Sequence, residues 1–416
     1  QGRSDPLNHP LRAALMAWSS RCACWQGLTK SARKAGASST VLDKDVAGLP
    51  AIQAKINFGG GTHKGKTPEV NVAEPVTIYD GRAGPARFTL DGHAFRLVQV
   101  PGIGLDTQGD RLDLYDAEMT VREFFPRVER FVLSQCPGAT RVIAFDHIVR
   151  NPQRSAAELA EAQAEADALA EVKGKGRAPG EIPPSSPVPP EMSQEILSGP
   201  PAKKKAMPKT PFLQGALGNA HGDYTVRSGP GRAEQLLSPW ADRALLDRVL
   251  AGRIQIINFW YPFTVVESDP LALCTWRSLS PCDLRTNRLF FKHRIGETYK
   301  VSSSPRQRWV YFSSVTPDEA VLLKTYDSLD DGATARFCMH SAFELPEQGE
   351  RKAAGLPPLR VRESTEVRVL VFYGEGLEGL AKDFVPPHMR QNDPAACEIV
   401  GDSLQRTVSI DNGGAW

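Results

Sequence analysis

The sequence contains no long hydrophobic run. None of the apolar stretches in its 416 residues approaches the ~20 residues that a membrane-spanning helix requires. It also lacks an excess of charge of one sign, because 50 Lys and Arg side chains oppose 48 Asp and Glu side chains and leave a net charge of +2. A protein without a broad basic face is not expected to bind nucleic acid. The composition therefore predicts a globular protein that binds neither membranes nor nucleic acid.

Cysteine is scarce, and its 7 residues are scattered along the chain in an odd number. Most of them lie in apolar, strand-like runs such as Leu271-Ala272-Leu273-Cys274. Free Cys behaves as a small buried hydrophobe, and disulfides are rare in reducing compartments. We therefore predict buried free thiols and a cytoplasmic protein.

Nucleotide-binding signatures are incomplete or missing. Residues Gly60–Thr67 match the pattern G-x-x-x-x-G-K-[ST], but a phosphate-binding loop needs a helix to begin at its Lys-Thr pair. Pro68 follows instead, and the alternating residues from Val70 to Tyr79 predict a strand. We interpret the stretch as a glycine-rich connector. The sequence also lacks a glycine-rich strand-to-helix turn followed by an acidic residue, which a nucleotide cofactor would need.

Short strand-like segments dominate the sequence after residue 212. Each is rich in β-branched or aromatic residues and is bounded by Gly, Pro, Asp or Ser, which is typical of strands separated by turns. Many strands at this spacing predict a sandwich or jelly roll. The predicted helices are Thr120–Ser134, interrupted by Pro126, and Leu236–Leu250. The predicted strands in this part are Arg253–Trp260, Leu271–Trp276, Glu297–Ser302, Gln307–Ser313, Ala320–Tyr326, Ala335–Phe343 and Ser364–Tyr373.

Composition divides the chain into five segments. The start of the chain and the Ala, Glu, Pro and Lys-rich stretch before Phe212 contain few residues that can build a core. The predicted segments are a poorly ordered N-terminal segment (1–45), a mixed α/β first part of the main domain (46–150), an inserted disordered linker (151–212), a jelly-roll core (213–380) and a C-terminal tail (381–416).

Candidate metal ligands occur in Asn219-Ala220-His221-Gly222-Asp223-Tyr224. In an extended strand the side chains of His221 and Asp223 point to the same face. His340, far downstream, becomes a third ligand if the fold places its strand beside the first. Two histidines and one carboxylate are the ligand set of non-haem Fe(II) oxygenases. The triplet alone is weak, because 8 histidines and 48 acidic residues give about one His-x-Asp/Glu triplet by chance.

Further motifs accompany this triplet between residues 75 and 375. They are Phe145-Asp146-His147-Ile148-Val149-Arg150, Ile257-Asn258-Phe259-Trp260-x-Pro262, Asp269-Pro270-Leu271-Ala272-Leu273-Cys274, Gly296-Glu297-Thr298-Tyr299, Lys324-Thr325-Tyr326-Asp327-Ser328, His340-Ser341-Ala342-Phe343-Glu344 and Arg362-Glu363-Ser364-x-Glu366-Val367-Arg368. Together they resemble the fungal hydroxylase/desaturase family typified by aspergillic acid hydroxylase, which is similar to a subunit of the bacterial cephamycin methoxylation system. Tyr261, Thr275 and Met339 depart from the residues usual in that family.

This resemblance implies a mainly β fold with flanking helices and a double-stranded β-helix (jelly-roll) core. It also implies Fe(II), 2-oxoglutarate and O2, with iron held by His221, Asp223 and His340. The far carboxylate of 2-oxoglutarate needs a cation, preferably a forked Arg. Arg362 is the first choice, because Arg362-x-Ser364 resembles the Arg-x-Ser pair that many such oxygenases use for this carboxylate, and Arg368 is the second. Positions 362, 364, 366 and 368 share one strand face, so the choice stays open at this point. Asn258 and Tyr299 are expected polar contacts inside the barrel.

The expected reaction is hydroxylation or desaturation of a small secondary metabolite, with conversion of 2-oxoglutarate and O2 to succinate and CO2. Two alternatives stay open at this point. One is a methyltransferase or methyltransferase accessory subunit, by analogy with the cephamycin system, and the other is an inactive jelly roll that serves as a binding protein. His147, which follows an apolar strand, is interpreted as a structural residue rather than a ligand.

Overall fold

The computed structural model of the protein describes residues 44–59, 71–161, 164, 213–215, 217–290, 295–390 and 407–409. The glycine-rich stretch Gly60–Thr67 lies outside these residues, as do most of the predicted N-terminal segment, linker and C-terminal tail. The division of the chain into five segments therefore stays a prediction.

One sheet has six strands, numbered here in chain order with those of the second sheet. They are β3 (Phe95–Gln99), β4 (Ala139–Arg150), β5 (Leu213–Gln214), β7 (Ile254–Pro262), β12 (Glu319–Asp327) and β14 (Ser364–Tyr373). Their order is β3-β12-β7-β14-β4-β5, and only the pair β4-β5 is parallel. The four inner strands are 9 to 12 residues long, so each ladder between them contains many backbone hydrogen bonds, interrupted by β-bulges in the β12-β7 and β14-β4 pairs.

The second sheet has nine strands, and its middle strands are short. The strands are β1 (Ala51–Gly59), β2 (Asn71–Asp80), β6 (His221–Gly222), β8 (Leu271–Cys274), β9 (Leu284–Phe290), β10 (Ile295–Val301), β11 (Trp309–Tyr311), β13 (His340–Ala342) and β15 (Thr407–Ser409). Their order is β1-β2-β11-β8-β13-β6-β10-β9-β15. The adjacent strands β8, β13 and β6 contain 4, 3 and 2 residues, so each contributes only a few backbone hydrogen bonds.

The two sheets face each other across a buried core. Trp260 and Leu323 of the six-stranded sheet belong to the same hydrophobic cluster as Leu273 and Val310 of the nine-stranded sheet. Because alternate residues of a strand point to opposite faces, the intervening positions pack outside this core. Two curled sheets closed over one core confirm the predicted mainly β, jelly-roll architecture.

One helix packs on the outer side of the six-stranded sheet. Phe125, Val128 and Val132 of one helix pack in a cluster with Val367 of β14. These three residues belong to helix α3. The helices numbered here in chain order are α1 (Leu90–His93), α2 (Ala117–Met119), α3 (Phe125–Gln135), α4 (Ser228–Leu237), α5 (Arg243–Ala251) and α6 (Pro346–Ala353). Within the described part of the chain, no helix has the length and apolar character that crossing a membrane requires.

Several predicted elements have different bounds in the structure; the predicted strand Gln307–Ser313, for example, is reduced to β11. The predicted helix Leu236–Leu250 is wrong as a single element, because α4 ends at Leu237, just before Pro239. The next helix, α5, begins after Asp242, whose carboxylate caps it by accepting from the Leu245 N–H at 2.8 Å. The predicted strand Ala335–Phe343 is reduced to β13. The helix predicted from Thr120 starts as a π-helical turn, and α3 follows with Pro126 in its first turn, where a missing N–H is tolerated.

Candidate metal centre

The three predicted metal ligands meet on the inner face of the nine-stranded sheet. His221 opens β6 and lies directly opposite His340 of β13 in the antiparallel ladder. Asp223 follows β6, two residues after His221, so its side chain returns to the same face. The fold thus joins residues that are more than a hundred positions apart in the sequence.

The side chains form a compact cluster. The Oδ1 atom of Asp223 lies 3.4 Å from Nε2 of His221 and 3.7 Å from Nε2 of His340. The two imidazole rings have centroids 4.3 Å apart, and one ligand atom from each residue lies within 4.8 Å of the others. Two nitrogens and one oxygen at these separations can surround a single cation.

Backbone carbonyls orient both imidazole rings. Nδ1 of His221 lies 2.7 Å from the Asn219 carbonyl oxygen, and Nδ1 of His340 lies 3.3 Å from that of Cys338. A carbonyl oxygen only accepts, so each Nδ1 is the protonated nitrogen. The lone pair of each Nε2 consequently faces the cluster, which is the arrangement that metal-binding histidines require.

Electrostatics keep the cluster ready to bind a cation. Burial, followed by the proximity of His221, lowers the pKa of His340 to about 3, so its imidazole is neutral at physiological pH. Burial alone would raise the pKa of Asp223. The close contact with His221, followed by the proximity of His340 and Arg368, outweighs burial and holds that pKa well below its ordinary value. A metal ion therefore need not displace protons from these two side chains.

Charged side chains line the inner face of the six-stranded sheet opposite the cluster. In register, Ser364 of β14 faces Arg150 of β4, and Arg368 of β14 faces Asp146 of β4. Positions at even spacing along β14 share this face. The charged groups on it are Asp146, Arg150, Arg362, Glu366 and Arg368.

Arg362 and Ser364 carry unused hydrogen-bonding atoms. Both residues are buried, and neither Nε of Arg362 nor Oγ of Ser364 has a hydrogen-bond partner among the described residues. Arg362 donates through Nη1 to the Asp269 carbonyl oxygen, and its guanidinium lies 5.8 Å from the ring centroid of Trp260. Burial, followed by repulsion from Arg150, lowers the pKa of Arg362 to about 10. A buried cation in this state is poorly compensated and favours an anionic ligand.

Arg368 is instead hydrogen-bonded to protein carboxylates through both of its Nη groups. Its Nη1 donates to Oδ2 of Asp146 at 2.8 Å, its Nη2 donates to Oε1 of Glu366 at 3.0 Å, and its Nε lies 3.7 Å from Oδ2 of Asp223. The attraction of these carboxylates outweighs burial and raises the pKa of Arg368 well above its usual value. The guanidinium that was the second choice for 2-oxoglutarate is therefore already paired.

Asn258 and Tyr299 contact the site in different ways. Asn258 is fully buried on β7, and its amide donates to Oδ2 of Asp223 at 2.7 Å. Tyr299 lies on β10 opposite Gly222, and its hydroxyl accepts from the Val226 N–H at 3.3 Å. Asn258 thus touches a candidate ligand directly, whereas Tyr299 holds the backbone that follows it.

Arg150, Asp146 and Glu366 were not predicted as site residues. They occupy alternate positions of β4 and β14, and the period of two in Asp146-x-Ile148-x-Arg150 was the available signal. His147, between two of these positions, lies opposite Val367, and its ring centroid is 5.6 Å from that of Phe125. His147 therefore belongs to the helix-covered outer face, away from the cluster.

A jelly roll whose inner face carries two imidazoles and one carboxylate has the architecture and donor set of the non-haem Fe(II) oxygenases. Comparison with known proteins assigns the family. The family model described as "YDMC: Oxidoreductase/YMDC permease-like domain" matches residues 50–173 and 202–372, which is more than half of the chain. The chain belongs to this oxidoreductase family.

Curated relatives are fungal enzymes. The hydroxylase/desaturase efuI of Hormonema carpetanum is 28% identical over 312 residues, covering 72% of this chain and 84% of the relative. The alpha-ketoglutarate-dependent dioxygenase tstK of Talaromyces stipitatus is 25% identical over 300 residues, with the same shares covered. These relatives confirm the resemblance to the fungal hydroxylase/desaturases.

A solved structure shares the fold. The iron and alpha-ketoglutarate-dependent endoperoxidase NvfI superimposes with a TM-score of 0.53 at 20% identity, covering 78% of this chain and 99% of that chain. At this identity the likeness shows the architecture alone. It agrees with the two-sheet jelly roll described above.

Proposed function

We propose that the protein is an Fe(II)- and 2-oxoglutarate-dependent oxygenase that hydroxylates or desaturates a small secondary metabolite, with conversion of 2-oxoglutarate and O2 to succinate and CO2. The observation that carries the proposal is the convergence of His221, Asp223 and His340 opposite the unused polar atoms of Arg362 and Ser364. The relatives named hydroxylase/desaturase and alpha-ketoglutarate-dependent dioxygenase support it.

The donor set fits iron. His221 and His340 would each ligate through Nε2, because the backbone fixes both Nδ1 protons, and Asp223 would ligate through Oδ1. Imidazole and carboxylate donors on one side of the metal suit Fe(II) and leave coordination positions for the co-substrate and O2. When bound, iron would use O2 and the electrons released by decarboxylation of 2-oxoglutarate to remove hydrogen from the substrate.

Arg362 and Ser364 fit the far carboxylate of 2-oxoglutarate. A carboxylate can accept from a guanidinium N–H and from a hydroxyl at the same time, and Nε of Arg362 and Oγ of Ser364 both lack a hydrogen-bond partner among the described residues. Trp260, which is buried beside Arg362, would form an apolar wall that keeps water away from this pair.

The charge balance of the inner face agrees with this assignment. Among the six charged groups nearest the cluster, three carboxylates oppose three guanidinium groups, so this set is neutral by itself. A divalent metal and a dianionic co-substrate would compensate each other and preserve that neutrality. The six groups are Asp146, Asp223, Glu366, Arg150, Arg362 and Arg368.

We further propose that the enzyme acts in the cytoplasm on a small molecule rather than on nucleic acid or at a membrane. Cys136, Cys274 and Cys338 are buried free thiols, which supports a reducing compartment. The near balance of acidic and basic residues gives no electrostatic reason to expect a nucleic-acid partner.

Turnover of the co-substrate tests the proposal without knowledge of the substrate. The full chain, loaded anaerobically with Fe(II) and then exposed to O2, is expected to convert 2-oxoglutarate to succinate at a slow, uncoupled rate. His340→Ala should abolish this conversion, whereas Asp247→Ala, which removes an exposed carboxylate on α5, should leave it unchanged. Folded wild-type protein that binds iron but forms no succinate would contradict the proposal.

A further inference from the structure

The two oxygen atoms of Asp223 have different surroundings. Oδ1 faces the imidazoles, at 3.4 Å from His221 Nε2 and 3.7 Å from His340 Nε2. Oδ2 faces the other sheet, where it accepts from the Asn258 amide at 2.7 Å and lies 3.7 Å from Nε of Arg368. Oδ1 is thus directed to the two imidazoles, and Oδ2 contacts Asn258 and Arg368 of the six-stranded sheet.

We propose that Asn258 and Arg368 are positioning residues that fix Asp223 through Oδ2, so that Oδ1 alone is presented to a divalent cation. The inference rests on the proposed function and assigns these two residues to the metal side of the site, not to 2-oxoglutarate. Arg362 and Ser364 are then the groups that receive the co-substrate.

The orientation of the Asn258 amide is determined by its neighbours. An ionised carboxylate only accepts hydrogen bonds, so the NH2 group of Asn258 must face Asp223. Its carbonyl Oδ1 then faces the hydroxyl of Thr325 at 3.5 Å, and that hydroxyl lies 3.2 Å from the Ile256 carbonyl oxygen. Asn258 therefore cannot flip without placing its own oxygen against the carboxylate.

Arg368 is fixed equally firmly. Asp146 on β4 and Glu366 on β14 each accept one of its Nη hydrogen bonds, at 2.8 and 3.0 Å. A guanidinium is planar, so holding both Nη atoms also fixes the direction of Nε. That Nε has no hydrogen-bond partner among the described residues, and Oδ2 of Asp223 is the carboxylate oxygen that it faces.

Asn258 and Arg368, called the Asp223 bracket below, hold Asp223 from the opposite sheet. Asn258 and Arg368 lie side by side in the β7-β14 ladder, whereas Asp223 follows a strand of only two residues in the opposite sheet. A two-residue strand constrains the side chain that follows it weakly. The long strands therefore supply the rigidity that the short strand lacks, as outer ligand-orienting groups do in metal sites generally.

Two affinities measured on the full chain test this inference. The first is the Kd for Co(II), read from its visible absorption without 2-oxoglutarate, and the second is the Kd for 2-oxoglutarate at saturating Co(II). Asn258→Leu and Arg368→Met are expected to weaken Co(II) binding by roughly 10- to 100-fold and to change its absorption spectrum, since orienting partners of ligands contribute about that much to metal affinity. Their Kd for 2-oxoglutarate at saturating metal should change less than about 3-fold.

Two control variants make the test specific. Gln255→Leu removes another buried amide of β7, one that donates to Asp327 at 2.8 Å, and it should leave Co(II) binding unchanged. Arg362→Gln should weaken 2-oxoglutarate and leave Co(II) affinity unchanged. Arg368→Lys keeps the positive charge but lacks the forked guanidinium, so it should weaken Co(II) binding less than Arg368→Met does. The Lys variant also replaces the Met variant in the test if the Met variant does not fold.

The possible outcomes separate the inference from the proposed function. Co(II) affinity within 2-fold of wild type in folded Asn258→Leu and Arg368→Lys would overturn the bracket, as would loss of 2-oxoglutarate binding in the Arg368 variants with metal binding intact. Wild-type protein that binds no Co(II) or Fe(II) would overturn the metal site itself, and with it both proposals.

Discussion

The two sheets of this protein differ in strand length and in what they contribute to stability and to the candidate metal site. The inner strands of the six-stranded sheet are 9 to 12 residues long, and three of them, β7, β12 and β14, are buried along nearly their whole length. The candidate ligands instead lie on or beside β6 and β13, which contain 2 and 3 residues. Long ladders supply stability, and short strands leave the ligand side chains dependent on partners in the opposite sheet.

The largest expected effect comes from removing a ligand on the short-strand side. Asp223→Ala should abolish stoichiometric Fe(II) binding and lower 2-oxoglutarate turnover by a factor on the order of 10³, because a bound metal contributes several kcal/mol to catalysis. The free energy of unfolding of the metal-free protein should fall by less than in the core variant Phe372→Ala, because Arg368 keeps its hydrogen bonds to Asp146 and Glu366. Iron content by metal analysis and stability by urea denaturation measure the two quantities, and a large loss of stability with metal retained would contradict the division of roles.

A variant in the six-stranded sheet should have the opposite effect and change stability but not metal binding. Phe372 of β14 is fully buried in the cluster that helices α4 and α5 cover, and Phe372→Ala should cost about 3–5 kcal/mol of unfolding free energy. The folded fraction should bind Fe(II) with wild-type affinity. Phe372→Leu, which leaves a smaller cavity, is the control and should cost less. Weakened metal binding in folded protein would show that the two sheets are not separable in this way.

A third variant compares the two guanidinium groups on the inner face. Arg362→Gln should raise the Kd for 2-oxoglutarate roughly 10- to 100-fold, since a charge-assisted hydrogen bond contributes about 1.5–3 kcal/mol. Ser364→Ala should have a smaller effect in the same direction. Isothermal titration with 2-oxoglutarate in the presence of Mn(II) measures both. Unchanged affinity in Arg362→Gln would require another group to bind the carboxylate.

The smallest expected effect concerns pH and the outer face of the long-strand sheet. Burial, followed by the proximity of His388, lowers the pKa of His147 to about 4, against an ordinary value of 6.5. As the pH falls below 6.5, the unfolded chain takes up a proton that the folded chain does not, so stability is lost between about pH 6.5 and 4. His147→Gln should reduce the loss between pH 7 and pH 5 by about 1–2 kcal/mol. Equal slopes of unfolding free energy against pH in both proteins would contradict this.

Sequence patterns predicted the parts of the protein that depend on local chemistry. The triplet with His221 and Asp223 was visible because strand geometry places alternate residues on one face, and the dense turn residues predicted a jelly roll. The bracket was not visible, because it depends on the register of β14 against β4 and β7. That register is set by packing between strands distant in sequence. The resemblance ranked Arg362 before Arg368, but the shared strand face left the choice open until their partners were known.

The predicted bounds of helices and strands were wrong where a few residues determine them. Pro239 divides the predicted helix Leu236–Leu250, although the apolar spacing continues across it. Only His340–Ala342 of the nine-residue predicted strand Ala335–Phe343 pairs as a strand, because partner strands β8 and β6 are themselves short. Apolar periodicity reports burial, and it does not report which buried residues have a partner for their backbone.

The most direct test of the central claim is the absorption spectrum of the anaerobic protein with Fe(II) and 2-oxoglutarate. Wild type should show the weak visible band of the iron and co-substrate bound together, and this band should need both components. His340→Ala, shown to be folded by circular dichroism, should not show it. A band that persists in His340→Ala, or its absence from folded wild-type protein, would contradict the assignment of His221, Asp223 and His340 as the iron site.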